Sequence, residues 1–475
     1  MRGNGSEPTD GVRDEQRKVP DLERARQGAG YADRWLDQQR QRNDLPGLVA
    51  AIRLGDETLL LDGYGLADVE RGVPMTPDHI FRVASHSKTF TATAIMQLKE
   101  RGRLRLDDAI VEYVPWVPGR LGAATLRQLL NHSSGIVRDG RNADYWQLDH
   151  PFPDAAELRR LVDEGGEILQ IDEAFKYSNI GYSLLGLAVE AASAMKYHEY
   201  VRRHIVDRLG LRDTGPETSA SARQRLVTGY TPRILGMPRR PVPDVETGAM
   251  AAATGFYSTA GDLCRYAAAH CHGNEELLGD APKREVQQPY WATERDGEWY
   301  GLGFGVADIG KRRVVGHSGG FPGHSTRTWF DPRDRLVVVV LTNATDGAAS
   351  ALAKGIIQII DFALESDGDT GGKSGPDLER FTGQFVNWWG VTDVVRFGNR
   401  LVAVSPDDAQ PMDKPVELEV VDADTLRIHA ADGYGFRGET MRYERDASGR
   451  VIRLVFGGMS SYPPEIFRDR PGLSG

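Results

Sequence analysis

The sequence predicts an α+β protein in two parts: an antiparallel sheet domain with a large helical insertion, then a small antiparallel β-barrel. Three observations lead there. Strand-like segments come early, at 48–52 and 58–61, and return at 299–343, with a mostly helical stretch at 105–212 between them. A run rich in Gly, Ser and Asp at 365–377 then reads as a linker. Beyond it, short alternating segments separated by turns fill the rest of the chain, the pattern of a small barrel or sandwich. Strands that enclose a block of helices, rather than alternating with them, form a sheet with a helical subdomain.

Residues 1–20 are polar and are expected to be a disordered tail. The sheet domain is then assigned to 21–364, the linker to 365–377 and the barrel to 378–475. A polar helix is expected at 21–42, stopped by Pro46-Gly47. Asp56-Glu57 turns the first strand into the second. Residues 81–84 lead into a helix at 85–101, in which Phe90, Ala94, Ile95 and Leu98 share one face at helical spacing and Gly102 is the stop. Pro232, Pro238, Pro241 and Pro243 mark an irregular excursion. A helix starts near Thr259, where Thr259 and Asp262 fit a capping box, so Asp262 is read as structural. Val314-Val315 and 336–341 are the clearest late strands, with 331–334 as a turn and a closing helix at 349–363. In the last part, 394–397, 416–421, 425–428, 440–443 and 451–456 are the strand candidates. Trp388-Trp389 is assigned to the core, since tryptophan is highly buried on average.

Composition narrows the function classes. The chain has 475 residues, 40% of them hydrophobic, enough for a large core. With 58 Lys and Arg against 68 Asp and Glu, the formal charge is −10, the wrong sign for a nucleic-acid partner. Cys264 and Cys271 are seven apart in one expected helix, roughly 10 Å along its axis. They are too far apart for a disulfide. No stretch approaches the roughly 18 apolar residues of a membrane span, and no apolar segment of the secretory kind follows Met1. A cytoplasmic protein is expected.

Three segments carry chemistry. Ser85-His86-Ser87-Lys88 puts a hydroxyl and an amine about one helical turn apart, so the amine can take the proton that makes serine nucleophilic. At a helix N-terminus, free backbone N–H groups also favour developing negative charge. The tetrapeptide pattern recurs at 193–196, read there as an ordinary helix surface, so context has to separate the two. Tyr177-Ser178-Asn179 lies 92 residues after Ser85 and offers a phenol that acts as a base if cations lower its pKa. Asn179 can serve a substrate carbonyl or Lys88. His317-Ser318-Gly319-Gly320 follows Val314-Val315 and is expected on an edge strand lining a cleft, where glycine lets backbone approach a ligand.

In this order the three segments resemble the serine β-lactamase, penicillin-binding-protein and D-aminopeptidase superfamily, with its S-x-x-K, Y-x-N and K-T-G or H-x-G signature. The segments at 81–90 and 125–135 resemble the family's nucleophile segment and its helix-and-loop, and the match spans about 30–365. The resemblance implies a transpeptidase-like sheet with a helical subdomain, closest to the class C type. It implies an acyl-enzyme on Ser85, proton work shared by Lys88 and Tyr177, substrate positioning by Asn179 and His317, and a glycine segment, Gly319-Gly320, at the oxyanion side. There the N–H groups of Ser85 and Gly320 form the hole. It implies no metal and no cofactor. The last part resembles the lipocalin-like barrel appended to D-aminopeptidase-type members. His317 stands where true β-lactamases carry lysine, and histidine is only fractionally charged at neutral pH, so carboxylate recognition should weaken. The expectation is an esterase, D-aminopeptidase or D-amino-acid amidase with weak or no β-lactamase activity. It would take a small ester, amide or peptide substrate, with homo-oligomerisation open.

Other readings remain at this stage. An acyltransferase would pass the same acyl group to an amine or alcohol. A non-catalytic penicillin-binding-like protein would need none of Ser85, Lys88 and Tyr177 together. Gly316 to Gly320 also fits G-x-S-x-G, but strands rather than a helix are expected after Ser318. Cys264, His270, Cys271 and His272 fit no zinc spacing.

Overall fold

The computed structural model describes residues 21–366, 377–431 and 436–470, so the expected tail at 1–20 and nearly all of the linker lie outside the described residues. Among the described residues, thirteen strands lie within 21–366: β1 (Gly47–Leu54), β2 (Glu57–Asp68), β3 (Val73–Pro74), β4 (Phe81–Ala84), β5 (Gly229–Tyr230), β6 (Pro241–Val242), β7 (Phe256–Ser258), β8 (Trp291–Ala292), β9 (Glu298–Tyr300), β10 (Gly305–Ile309), β11 (Arg312–Phe321), β12 (His324–Phe330) and β13 (Leu336–Thr342). Nine of them form one antiparallel sheet in the order β3-β2-β1-β13-β12-β11-β10-β9-β8. The five helices of ten residues or more among the described residues are α1 (Leu22–Arg42), α2 (Ser87–Glu100), α3 (Asn179–Ser193), α4 (Ala260–Ala269) and α5 (Ala349–Glu365).

The apolar run of β13 has no polar alternation because both of its faces are covered. Val337, Val339 and Leu341 pack with α2, α3 and α4 on one side. Leu336, Val338 and Val340 pack with α1 and α5 on the other. In α1, Asp21 caps the first turn by accepting from the N–H groups of Glu23 and Arg24, and Ala25, Ala29, Ala32 and Leu36 give the buried stripe. Helix α2 is buried from Ser87 to Leu98 on all sides, as a helix at the centre of a large core must be.

The stretch 105–212 holds short helical turns and loops around α3, less regular than the expected helices, since Pro and Gly break it repeatedly. Helix α2 starts at Ser87, two residues after the expected Ser85, with His86 as its cap. Strand β11 is interior in the sheet, not an edge strand. However, β10 pairs with it only over 312–316, so from His317 onward that side of β11 is unpaired by β10. Helix α4 ends at Ala269, which leaves Cys271 outside it; both cysteines are buried and free. The second S-x-x-K straddles a break, since α3 ends at Ser193 and Ala194 turns left-handed. Strand β11 runs on to Phe321, so no elbow helix follows Ser318.

From residue 377 on, eight strands among the described residues form an antiparallel meander: β14 (Gly383–Asn387), β15 (Gly390–Phe397), β16 (Arg400–Val404), β17 (Val416–Asp422), β18 (Thr425–Ala430), β19 (Thr440–Arg445), β20 (Val451–Phe456) and β21 (Met459–Ser461). Reciprocal bonds between Val386 and Tyr462, at 2.8 and 2.9 Å, bring its ends together into a nearly closed barrel. Phe381, Phe385, Leu401, Leu426, Met441 and Leu454 fill it. Val395, Phe397, Val402 and Val404 instead join the core of α1 and α5. Trp388 and Trp389, expected in the core, are 74% and 85% exposed. They occupy the tight turn between β14 and β15, where the Trp388 ring meets Phe467 edge-on at 5.9 Å and stays mostly in solvent. No helix among the described residues is long and apolar enough to cross a membrane.

Candidate active site

Strand β4 pairs with β7 and delivers the chain to Ser85 through Ala84, which holds φ +44°, a conformation costly for any residue with a Cβ. Ser87 pins this turn: its hydroxyl donates to Ala84 O at 2.5 Å and accepts from Phe256 N–H at 3.0 Å. His86 points away from the cleft, with Nδ1 on Val83 O at 2.9 Å and Nε2 on Thr328 Oγ1 at 3.0 Å. Burial pushes its pKa down to about 4.

Lys88 is fully buried and has three neighbours for Nζ: Asn179 Oδ1 at 2.6 Å, Ala253 O at 2.9 Å and Ser85 Oγ at 3.3 Å. Burial holds its pKa well below the usual lysine range, with Asp139 opposing the drop. A neutral amine has two N–H donors and one lone pair. In that form the two carbonyl oxygens can take both donors, which leaves the lone pair for the serine hydroxyl.

Tyr177 is half-buried on the cleft wall, its ring centroid 4.7 Å from Lys88 Nζ. Burial pushes its pKa up, while a hydrogen bond with Ser85 and the Arg138 guanidinium pull it back. The phenol is neutral at rest, and the cation that acts on it is Arg138, whose Cζ lies 5.4 Å from the ring centroid. His132 explains why the segments 125–135 and 175–182 belong together. Held at φ +63°, it accepts Ser178 N–H on Nδ1 at 3.1 Å, and its ring packs 4.3 Å from that of Tyr177.

His317 is also committed. Its Nδ1 donates to Ser318 O at 2.6 Å and its Nε2 accepts from Tyr300 OH at 2.9 Å. Burial, and then Lys88 and His86, hold its pKa well down, so it is neutral. A Cβ on Gly319 would lie 2.1 Å from Val83 O, whereas one on Gly320 would meet nothing within 4 Å. Gly319 thus lets β11 touch β4, and Gly320 presents bare backbone to the cleft.

The cleft measures about 570 Å³, a size that suits a small substrate, and Ser85, Tyr177, Asn179, His317 and Gly320 all line it. Every lining residue comes from 85–329, none from the barrel. Sequence reasoning missed Arg138, Asp139, Tyr300 and Arg327. Arg327 stands opposite Ser318 on β12, 4% exposed, with its guanidinium 3.8 Å from the Trp329 ring centroid. Burial lowers its pKa to about 10, so it stays a cation, paired at 3.7 Å with Glu298. No local pattern marks Tyr300 or Arg327; only strand pairing brings them to the site. Among the described residues, no three His, Cys, Asp or Glu side chains are placed to hold a metal ion.

The family model described as Beta-lactamase matches residues 32–359. The chain belongs to the beta-lactamase family. It is 25% identical to protein flp of Staphylococcus aureus (strain MW2) over 66% of this chain and 62% of that protein, so the chain spans less than two thirds of this relative's length. It is 27% identical to penicillin-binding protein 4* of Bacillus subtilis (strain 168), over 62% of this chain and 68% of that one. Among solved structures, D-amino acid amidase from Ochrobactrum anthropi SV3 matches with TM-score 0.58 and 27% identity, over 72% of this chain and 96% of its own. The octameric penicillin-binding protein homologue from Pyrococcus abyssi matches 91% of this chain and 99% of its own, with TM-score 0.62 and 23% identity. That likeness is one of fold and, at 91% of the chain, reaches into the barrel.

Proposed function

We propose that this beta-lactamase-family protein is a serine hydrolase that forms an acyl-enzyme on Ser85 and cleaves small amides, peptides or esters. The observation that carries this reading is the setting of Lys88: a buried amine whose Nζ lies against Asn179 Oδ1, Ala253 O and, at 3.3 Å, Ser85 Oγ. In acylation, Ser85 Oγ attacks the substrate carbonyl carbon and its proton passes to Lys88. Backbone N–H groups of Ser85 and Gly320 receive the oxyanion. The bond to the leaving amine or alcohol breaks, and Tyr177 gives that group its phenol proton. Lys88 is then an ammonium and Tyr177 a phenolate. In deacylation, the phenolate takes a proton from water, the hydroxide attacks the acyl carbon, and Ser85 Oγ leaves with the proton of Lys88.

His317 is neutral and offers no cation where a lysine would, and Arg327 is shared with Glu298. Both support weak hydrolysis of penicillins, whose carboxylate needs a free cation. The likeness to a D-amino acid amidase favours amides over lactams. Self-association also belongs to this reading, supported by the octameric homologue.

The test is p-nitrophenyl acetate with wild type and Ser85→Ala, following nitrophenol release and intact mass. The expected result is a burst and an acetyl adduct in wild type, both absent in Ser85→Ala. Equal behaviour of the two proteins would sink the assignment of Ser85.

A further inference from the structure

Arg138 and Asp139 are neighbours on the loop after Gly135, and they turn to opposite members of the base pair. Asp139 is 7% exposed. Its Oδ1 accepts from Asn179 Nδ2 at 2.7 Å and from Trp146 Nε1 at 3.2 Å. A carboxylate only accepts, so Asn179 must give it the NH2 and turn its carbonyl to Lys88, where Oδ1 sits 2.6 Å from Nζ. A negative charge therefore backs the amine through one amide. Arg138 pairs with Asp139 Oδ2 at 3.0 Å and holds its guanidinium beside the Tyr177 ring, with 62% of its side chain in solvent. A positive charge therefore covers the phenol.

We propose that Arg138 and Asp139 form a positioning pair that sets where the site's mobile proton rests: Asp139 favours ammonium on Lys88 through Asn179, and Arg138 favours phenolate on Tyr177. This rests on the reading of Ser85 as nucleophile. Acylation leaves Lys88 as ammonium and Tyr177 as phenolate, so the pair stabilises the protonation state of the acyl-enzyme without touching a reacting atom. Burial opposes that state at both groups. Of the charges acting on each, Asp139 is the largest on Lys88 and raises its pKa, and Arg138 is the largest on Tyr177 and lowers its pKa. The other groups facing the two bases are His132 and His317, kept neutral by burial, the phenols of Tyr182 and Tyr300, and the Ser85 hydroxyl. Lys176 lies on the same wall of the cleft.

The experiment is the pH dependence of kcat/KM for p-nitrophenyl acetate at low salt, in wild type, Asp139→Asn, Arg138→Gln and the double variant, with melting temperatures alongside. Removing the negative charge makes the base pair lose its first proton more easily, so the acid limb moves to lower pH in Asp139→Asn. Removing the positive charge moves it to higher pH in Arg138→Gln. Each displacement is expected to be about half a pH unit, with the double variant in between. Arg138→Lys, which keeps the charge, restores the limb. A loosened loop would lower rates without moving the limbs in opposite directions. Limbs that stay put, or move the same way, in folded variants overturn the proposal. If Asp139→Asn does not fold, Arg138→Gln decides alone, because its side chain is mostly in solvent. The two readings fail separately. An acetyl adduct that persists in Ser85→Ala removes the nucleophile, whereas an adduct lost there with unmoved limbs removes only the pair.

Discussion

At the scale of the residue, Gly319 and Gly320 show how one atom decides a site. A Cβ on Gly319 would press into Val83 O, next to the turn that carries Ser85, while a Cβ on Gly320 would stand in open cleft. Gly319→Ala must therefore push β11 off β4. A displacement near 1 Å beside the nucleophile costs roughly 100-fold in rate. The expected outcome is a loss of kcat/KM of that order together with a lower melting temperature. Gly320→Ala is expected to melt with wild type and to alter only KM, through steric contact with substrate. Parallel melting curves and ester kinetics check both. Lys88 makes the same point in chemistry. The S-x-x-K spacing was legible because it is local. The oxygens that hold the amine in place, on Asn179 and Ala253, arrive from 91 and 165 positions away. Arg138, Asp139, Tyr300 and Arg327 have no local pattern at all.

At the scale of the element, the contact between α1 and α5 ties the two parts of the molecule together. Gly355 on α5 has no room for a methyl: a Cβ would lie 2.5 Å from both Ala409 O and the Trp35 ring. Trp35 donates in turn to Asp408 O at 3.0 Å on the barrel side, and Gln39 donates to Pro406 O at 2.7 Å. Alanine normally stabilises a helix by about 1 kcal/mol over glycine. Overpacking a filled core costs about 1–3 kcal/mol. Gly355→Ala is therefore expected to lower the melting temperature by a few degrees, against its helix propensity, and a thermal scan checks it. Element boundaries were the weaker part of the sequence reading here. Helix α2 begins two residues late because the strained turn at Ala84 must first present Ser85. Strand β2 runs on to Asp68, since pairing with β1 as far as Gly65 and then with β3 at Leu66 and Asp68, which no local pattern records, extends it.

At the scale of the whole molecule, no described residue of the barrel lines the cleft, but the barrel covers the outer face of α1 and α5. Phe397 sits between them, its ring centroid 6.0 Å from Tyr31 and 5.4 Å from Phe362. A chain cut after Ser366 would expose this apolar face, and large exposed apolar patches drive association. The truncated protein is expected to aggregate or to melt well below the full chain, while its folded fraction keeps ester hydrolysis. Size-exclusion chromatography with kinetics on the monomer peak checks this. Full solubility and an unchanged melting temperature would mean that the barrel is an independent unit.

The sequence by itself determined the fold class, the order of strands, helical insertion and barrel, and the three short segments that meet at the cleft. These features are written in period, punctuation and residue spacing, which act over a few positions. Only the tertiary structure decided that Trp388 and Trp389 are exposed. It alone decided that His317 is spent on Tyr300 and Ser318, that Arg327 is buried at the cleft, and that Arg138 and Asp139 stand beside Tyr177 and Asn179. Burial and distance between remote segments set protonation and charge, and those quantities exist only once the chain has closed on itself.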